Sequence, residues 1–191
     1  MVKLIELNNI NIPVPNNAPI CLDELIIKAG DCIQIIAPSG RGKTYFYHTL
    51  LGMTESSPVL FGKNIHLAKL FCYLPSYLPF YSETVLDELN RLGATNDQIT
   101  SFIDDGLITS VFLSQKCHTL SSGQNQILIF LRGLLSSKPI LIMDELMNAM
   151  DEDLRNNIIS HWIPKILLSK SILLSIHLGQ EKMFSRCVDL K

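Results

Sequence analysis

A short glycine-containing loop between a buried strand and a helix constrains this chain more than any other feature. Residues 37–44 read APSGRGKT and directly follow the apolar run Cys32–Ile36. This order predicts a strand, a tight turn and a helix that opens at Lys43, so that backbone N–H groups and the positive end of the helix face one anion. Gly40 and Gly42 allow close approach of a phosphate. A polyphosphate nucleotide is the expected ligand.

Two side chains of this loop suit the phosphates and their metal ion. Lys43 is placed for the outer phosphates and the Thr44 hydroxyl for Mg²⁺. The first position of the pattern, normally glycine, is Ala37. A positive φ there would cost about 1–2 kcal/mol, so either the position is undemanding or the loop is strained. The expected nucleotide-binding residues of this segment are Pro38, Ser39, Gly40, Arg41, Gly42, Lys43, Thr44 and Tyr45.

The composition indicates one globular domain. The chain has 191 residues, of which 47% are hydrophobic and 18% charged, enough for a substantial core. A net charge of −2 and the lack of a basic stripe disfavour a nucleic-acid partner. There is no apolar signal core or run of roughly 18 apolar residues, so we expect a cytoplasmic protein. The cysteines contain no CxxC pair and are predicted to be reduced core residues; they are Cys21, Cys32, Cys72, Cys117 and Cys187.

The order of apolar runs and turn residues predicts a β-rich opening followed by an α/β body. The predicted strands are 3–7, 20–27, 32–36, 59–65, 70–75, 140–143 and 171–177, with a loop over 11–19 and a turn over 28–31. The predicted helices are 43–51, 83–92, 96–107, 121–135 and 153–162, the last ending before Pro164. The segment at approximately 79–135 forms a small helical insert.

Two acids follow the most apolar predicted strand. Residues 140–145 read ILIMDE, which places Asp144 and Glu145 at the carboxyl end of a strand, where ligands bind in open α/β sheets. Asp144 can hold Mg²⁺ through water, and Glu145 can act as the general base toward the attacking water. Residues 120–124, LSSGQ, begin a helix rich in free N–H groups. His177 stands at the end of another strand, matching Asp144.

Together these segments resemble the ATP-binding cassette (ABC) ATPase domain, the nucleotide-binding half of ABC transporters, over nearly the whole chain. Their order and spacing are far more specific than any one motif. Residues 37–44 match Walker A, 120–124 the LSGGQ signature with Ser122 in place of a glycine, 140–145 Walker B, 148–151 (NAMD) the D-loop, and His177 the switch histidine.

The resemblance implies a mechanism shared between two domains. ATP and Mg²⁺ are the implied cofactors, and two ABC ATPase domains pair head to tail. Ser121 and Gly123 of one domain close over the γ-phosphate held by Lys43 of the other. His177 holds the γ-phosphate, and Asp151 lies between the two sites. The implied fold is α/β, a P-loop NTPase core with a mainly parallel sheet, an N-terminal antiparallel β subdomain and the helical insert. The insert meets a transmembrane transporter subunit, which places the chain on the cytoplasmic face of a membrane.

Three positions depart from the family pattern. Val14 stands where an aromatic residue stacks on adenine, and Tyr45 replaces a second hydroxyl after Lys43. Ser76 replaces the Q-loop glutamine and takes its place in the expected metal site. The favoured hypothesis, which follows from the resemblance, is an ATP hydrolase that powers transport through a separate membrane component. The alternative is a regulatory or structural subunit with low ATPase activity. A soluble ABC protein acting on DNA or ribosomes is disfavoured, because a basic patch, a coiled-coil insertion and a second cassette are lacking.

Overall fold

The N-terminal ribbon is longer than the sequence predicts. The computed structural model describes residues 2–57, 67–175 and 184–190. Strand β1 (Lys3–Ile12) pairs antiparallel with β2 (Ile20–Lys28). The prediction that the first strand ends at residue 7 is wrong, because the buried positions of β1 change from Ile5 and Leu7 to Ile10 and Ile12. This change of parity interrupts the period-two pattern from which strands are recognised.

A five-stranded sheet lies in the centre of the first part of the fold. Its strands are β3 (Cys32–Ile36), β4 (Phe71–Leu74), β5 (Ile140–Asp144), β6 (Ser171–Ser175) and β7 (Arg186–Asp189). Their order in the sheet is β4-β5-β6-β3-β7. Strand β3 pairs in parallel with β6 and β7, and β5 pairs in parallel with β6. Every residue of β5 and β6 is buried, as expected for inner strands of a parallel sheet. The carboxyl ends of β3, β5 and β6 therefore meet at one edge.

Helix α1 (Lys43–Leu50) follows β3 across the glycine loop, as predicted. It ends before Gly52, which adopts a φ of 74°. Phe46, Tyr47 and Leu50 of α1 are fully buried in one cluster with residues of the ribbon and the sheet. The ribbon, the sheet and α1 belong to a first compact unit, formed by Met1–Tyr73, Lys138–Glu145 and Ile166–Lys191.

A second unit, Leu74–Ser137 with Leu146–Lys165, is helical. Threonine and serine residues cap its helices: Thr84, Thr95 and Ser121 each form a capping box. Gly93 and Gly106 follow two of the helices with φ of 83° and 70°. The helices are α2 (Val85–Arg91), α3 (Asn96–Asp104), α4 (Ser110–Leu113), α5 (Ser122–Leu135), α6 (Glu152–Asn157) and α7 (Ile163–Leu167), with a 3₁₀ turn at Cys117–Thr119.

The last helical segment continues through Pro164, so the prediction that it ends there is wrong. Pro164 has no N–H to donate. The N–H of Ile163 bonds to the carbonyl of Ile158, five residues back, in a π turn over Ile158–Trp162. The wider turn includes Ser160, whose carbonyl the proline ring would otherwise meet. The helix therefore resumes as α7.

The cysteine prediction is correct for part of the set. Cys32 and Cys117 are buried, and Cys72 is half-buried. Cys21 and Cys187 are exposed, because both lie on the outward-facing side of alternating strands. Burial, with a smaller contribution from Asp31, raises the pKa of Cys32 to about 12, so this thiol stays neutral. All five are free thiols.

Two predictions lie outside the described residues: the strand over 59–65 and the position of His177. Strand β7 was not predicted, because only its alternate residues are partly covered and the run is short. None of the helices in the described part of the chain is long and apolar enough to cross a membrane.

Candidate nucleotide-binding site

The glycine loop has the geometry that its sequence predicts. Gly40 and Gly42 adopt φ of 75° and 100°. The φ of Gly42 favours glycine there, and a Cβ would also lie 3.2 Å from Cδ1 of Ile20, which would have to move by a few tenths of an ångström. Ala37 needs no such freedom, because the non-glycine residues with positive φ in the described ranges are Asn9, Asn16 and Glu145. The sequence left two alternatives, a position that does not require glycine or a strained loop, and the structure shows the first.

The segment that joins β1 to β2 braces this loop. The guanidinium of Arg41 donates to the carbonyl oxygens of Ala18 (2.8 Å) and Pro19 (2.9 Å). The side-chain amide of Asn17 donates to the carbonyl of Gly40 at 3.2 Å. Arg41 therefore uses its side chain to hold the loop against the ribbon.

A lysine, a threonine and an aspartate come together beside the loop. Lys43 is only 8% exposed, and its Nζ donates to the carbonyl of Ala37 at 3.1 Å. Thr44 Oγ1 donates to Asp144 Oδ2 at 2.8 Å. These two residues are 100 positions apart, and their contact brings the first turn of α1 to the carboxyl end of β5.

The donor set at this contact fits Mg²⁺. A hydroxyl and a carboxylate are hard oxygen ligands, and Mg²⁺ bound with nucleotides takes one or two protein ligands plus phosphate oxygens and water. Within the described ranges, no group of three or more histidine, cysteine, aspartate or glutamate side chains could hold a metal ion. The contact between Thr44 and Asp144 provides such oxygens, so these two residues would hold Mg²⁺, and the ion would neutralise phosphate charge there.

Two further hydroxyl groups bind Asp144, and the sequence analysis missed both. Tyr73 OH donates to Oδ2 at 2.9 Å, and Ser175 Oγ donates to Oδ1 at 3.0 Å. Burial, and then the negative charge of Asp144, raises the pKa of the Tyr73 phenol, so it remains a neutral donor. Both residues lie within one residue of the end of a sheet strand. Their positions near strand ends could have identified them as candidates. The order of the strands in the sheet is needed, however, to know that these ends lie beside Asp144.

Glu145 has an unusual backbone conformation. Its φ is 54°, in the left-handed region that non-glycine residues rarely adopt. Such conformations cluster at functional sites, where the surrounding structure enforces them. The backbone N–H of Glu145 bonds to the carbonyl of Ser175 at 3.2 Å. The backbone of the predicted general base is thus held by a hydrogen bond to the neighbouring strand β6.

The predicted signature residues lie at the start of α5, in the second unit. Ser121 caps the helix: its Oγ accepts from the N–H of Gln124 at 3.2 Å, and Gln124 Oε1 accepts from the N–H of Ser121 at 3.0 Å. Gly123 packs against the predicted D-loop, since a Cβ there would lie 2.6 Å from the carbonyl oxygen of Ala149. Asp151 caps α6 by accepting from the N–H of Leu154 at 2.8 Å.

Gln126 joins three of these predicted segments, and the sequence analysis missed it. It is 2% exposed. Its Oε1 accepts from the N–H of Ala149 at 2.9 Å, and its Nε2 donates to the carbonyl of Ser76 at 3.2 Å. The signature helix, the D-loop and the segment that begins at Ser76 are therefore linked within the second unit.

We expect Gly123→Ala to lower the free energy of unfolding by roughly 1–3 kcal/mol, because the added methyl meets backbone that cannot move aside easily. Gly133→Ala is the matched control on the same helix. Its Cβ would lie 2.5 Å from Cδ1 of Leu74, the movable end of a side chain. Thermal unfolding of both variants tests this. Equal melting temperatures for the two variants would contradict the close packing of Gly123 on Ala149.

Tyr45, at the second position after Lys43, is connected through Ser56 to the segment that follows β1. Its hydroxyl lies 3.1 Å from Ser56 Oγ, which donates to the carbonyl of Pro13 at 3.0 Å. Val14 lies near the loop, with Cγ1 3.9 Å from the position of a Cβ on Gly42.

The fold and this edge of the sheet define a P-loop nucleotide-binding domain of the α/β class. The family model for ABC transporter proteins matches residues 23–148. The chain belongs to the ABC transporter family, as a nucleotide-binding domain, which confirms the resemblance inferred from its motifs.

Known relatives match most of this chain. The zinc import ATP-binding protein ZnuC of Rickettsia bellii is 30% identical over 158 residues, which cover 78% of this chain and 64% of that protein. The spermidine/putrescine import ATP-binding protein PotA of Nitrosomonas europaea is 31% identical over 148 residues, covering 70% and 41%. The chain therefore spans about two thirds or less of the length of these relatives.

Solved structures confirm the fold. A bacterial Atm1-family ABC exporter with ATP bound superposes with a TM-score of 0.77 at 17% identity, covering 97% of this chain and 36% of that chain. The ATP-binding subunit of an ABC transporter gives a TM-score of 0.76 at 17% identity, covering 97% and 85%. The predicted fold class, a P-loop core with a parallel sheet, an antiparallel ribbon and helices, is confirmed.

Proposed function

We propose that the chain binds and hydrolyses ATP with Mg²⁺ and thereby drives transport through a separate membrane component. The observation that carries this proposal is the hydrogen bond from Thr44 to Asp144 beside a glycine loop of the required conformation. The family membership supports it independently.

Each residue of the site has a chemical task in this proposal. The ammonium group of Lys43 and the N–H groups at the start of α1 bind the outer phosphates, which places the γ-phosphate for in-line attack. Thr44 and Asp144 hold Mg²⁺. Glu145 orients the attacking water and accepts its proton. Phosphoryl transfer depends mainly on such positioning and charge neutralisation.

We further propose that two such domains pair head to tail. The N-terminus of α5 presents Ser121 and Gly123, and phosphate oxygens are stabilised at helix N-termini. The contacts of Gly123 and Gln126 with Ala149 support a single surface that includes the D-loop. In this arrangement the surface of one chain covers the γ-phosphate bound to Lys43 of the other, and Asp151 lies between the two sites.

The second unit offers a groove for the membrane component. It has a volume of about 540 Å³ and combines aromatic and apolar side chains with two arginines. Tyr81 at its edge is 93% exposed, so its ring is accessible to a binding segment. We propose that a cytoplasmic segment of the transmembrane subunit binds here. The lining residues are Leu78, Pro79, Phe80, Tyr81, Ser82, Arg91, Leu92 and Arg132.

Steady-state ATP hydrolysis by the purified chain tests the proposed activity. Turnover that depends on Mg²⁺ and on Glu145 supports it. Nucleotide binding with negligible turnover would instead favour the second candidate, a regulatory or structural subunit, which Ser76 and Val14 motivate.

Co-purification with a membrane component tests the proposed groove. We expect a polytopic membrane protein to co-purify with the wild type but not with Tyr81→Asp, and equal recovery with both would contradict the proposed binding at the groove.

We expect the valine at the base-stacking position to weaken ATP binding and nucleotide discrimination. Stacking on an aromatic ring contributes roughly 1–3 kcal/mol in nucleic-acid binders. Val14→Tyr should therefore bind ATP roughly ten to a hundred times more tightly than the wild type. The wild type should bind ATP and GTP with similar affinity, because the phosphates dominate. Titrations of both nucleotides check this, and strong ATP preference in the wild type would show that another residue holds the base.

A further inference from the structure

A buried serine at the end of β6 bonds to both acids of the proposed site. Ser175 pairs in register with Asp144 across the parallel strands β5 and β6. It is 3% exposed. Its hydroxyl donates to Asp144 Oδ1 at 3.0 Å and accepts from the backbone N–H of Glu145 at 3.2 Å. The same N–H also lies 3.2 Å from the Ser175 carbonyl oxygen.

This arrangement uses the hydroxyl on both sides. A serine hydroxyl has one proton and two lone pairs. The proton is directed to the Asp144 oxygen that neither Thr44 nor Tyr73 contacts, since both of those donate to Oδ2. With Ser175 in place, each oxygen of the Asp144 carboxylate has a donor, so the rotation of the carboxylate is restricted.

The second bond bears on the strained backbone of Glu145. A φ of 54° is costly for glutamate and persists only where neighbours enforce it. Ser175 provides both acceptors that face the Glu145 N–H, its hydroxyl and its carbonyl. One residue therefore contacts the Asp144 carboxylate and the Glu145 backbone at the same time.

We propose that Ser175 is a positioning residue that fixes the Asp144 carboxylate and the Glu145 backbone together for Mg²⁺ binding and water activation. This inference rests on the proposed ATP hydrolysis for its catalytic consequence. It rests only on the hydrogen bonds above for its effect on Mg²⁺.

The other end of β6 supplies a matched control. Ser171 is fully buried and lies on the same face of the strand as Ser175, four residues earlier. Its hydroxyl donates to the carbonyl of Lys28 at 2.8 Å and accepts from the N–H of Gly30 at 3.2 Å. It thus serves a turn and has no bond to either acid. Ser171→Ala measures the cost of losing a buried hydroxyl from this strand.

The test compares wild type, Ser175→Ala, Ser175→Thr and Ser171→Ala by calorimetric titration with a non-hydrolysable ATP analogue, with and without Mg²⁺. Loss of a group that orients a metal ligand typically costs about ten- to a hundredfold in metal affinity or activity. We expect the increase in analogue affinity that Mg²⁺ produces to be about tenfold or more smaller in Ser175→Ala than in the wild type. Without Mg²⁺, the two proteins should bind the analogue with the same affinity. Ser175→Thr keeps the hydroxyl and should restore the gain. Ser171→Ala should lower the melting temperature only.

Turnover provides the second measurement. Ser175→Ala should lower kcat by about tenfold or more with little change in KM, and Ser175→Thr should recover it. If Ser175→Ala does not fold, Ser175→Cys, which keeps the shape with a weaker donor, takes its place.

The inference would be overturned if Mg²⁺ increased the analogue affinity of Ser175→Ala as much as that of the wild type. It would also be overturned if Ser171→Ala lost as much of this increase as Ser175→Ala, or if Mg²⁺ did not change the analogue affinity of the wild type. A wild type that binds Mg²⁺ and analogue without turnover would contradict the proposed hydrolysis alone, because the titrations still decide the role of Ser175.

Discussion

Replacing Glu145 with glutamine is expected to reduce ATP turnover by about 10²–10⁴-fold, the usual contribution of a general base. ATP should stay bound, because the glycine loop, Lys43 and Thr44 are unchanged. Glutamine has the same shape, and the hydrogen bonds of the Glu145 N–H to Ser175 involve only the backbone of residue 145. The variant should therefore accumulate as an ATP-bound head-to-tail dimer. Turnover assays and size-exclusion chromatography with ATP and Mg²⁺ measure these two effects.

Glu24→Gln is the matched control, since Glu24 is an exposed acid on β2. It removes the same charge and should leave both turnover and association unchanged. Retained turnover in Glu145→Gln would show that another group activates the water. A variant that stays monomeric with ATP and Mg²⁺ would argue against a dimer made by this chain alone.

The second large effect is expected from Lys43→Ala, which should weaken ATP binding by about a hundredfold or more. A hydrogen bond to a charged group contributes about 1.5–3 kcal/mol, and the lysine is expected to make more than one to the phosphates. Lys43 is already buried beside the loop with its ammonium group on the Ala37 carbonyl. Its removal therefore acts on the ground state, and binding is lost before any chemistry occurs. Equilibrium titration with ATP measures this loss.

His177→Ala provides the contrast for this prediction. It should bind ATP normally and hydrolyse it slowly, because the γ-phosphate contact that the family resemblance implies for this histidine is expected to strengthen mainly in the transition state. Equal loss of ATP binding in the two variants would contradict this division of roles.

The sequence alone predicted the parts of the site that depend on neighbouring residues. The tight turn at Gly40 and Gly42, the start of α1 at Lys43 and the buried run of β5 follow from local rules of turns, caps and apolar patterns. The capping box at Ser121 follows in the same way. Motif order then led to the family. Each of these features is determined by residues that are close together in the chain, so it can be predicted from the sequence alone.

Tertiary structure decided what depends on strand order and register. It placed Ser175 beside Asp144 and brought Tyr73 to the same carboxylate. It also joined Ser76 to Ala149 through Gln126. A serine, a tyrosine or a glutamine has no local pattern that predicts such a partner, because many residues separate the two ends of each contact. Only the pairing of strands and the packing of helices determine which distant groups meet, and this is why the residues that hold the acids became visible in the folded chain.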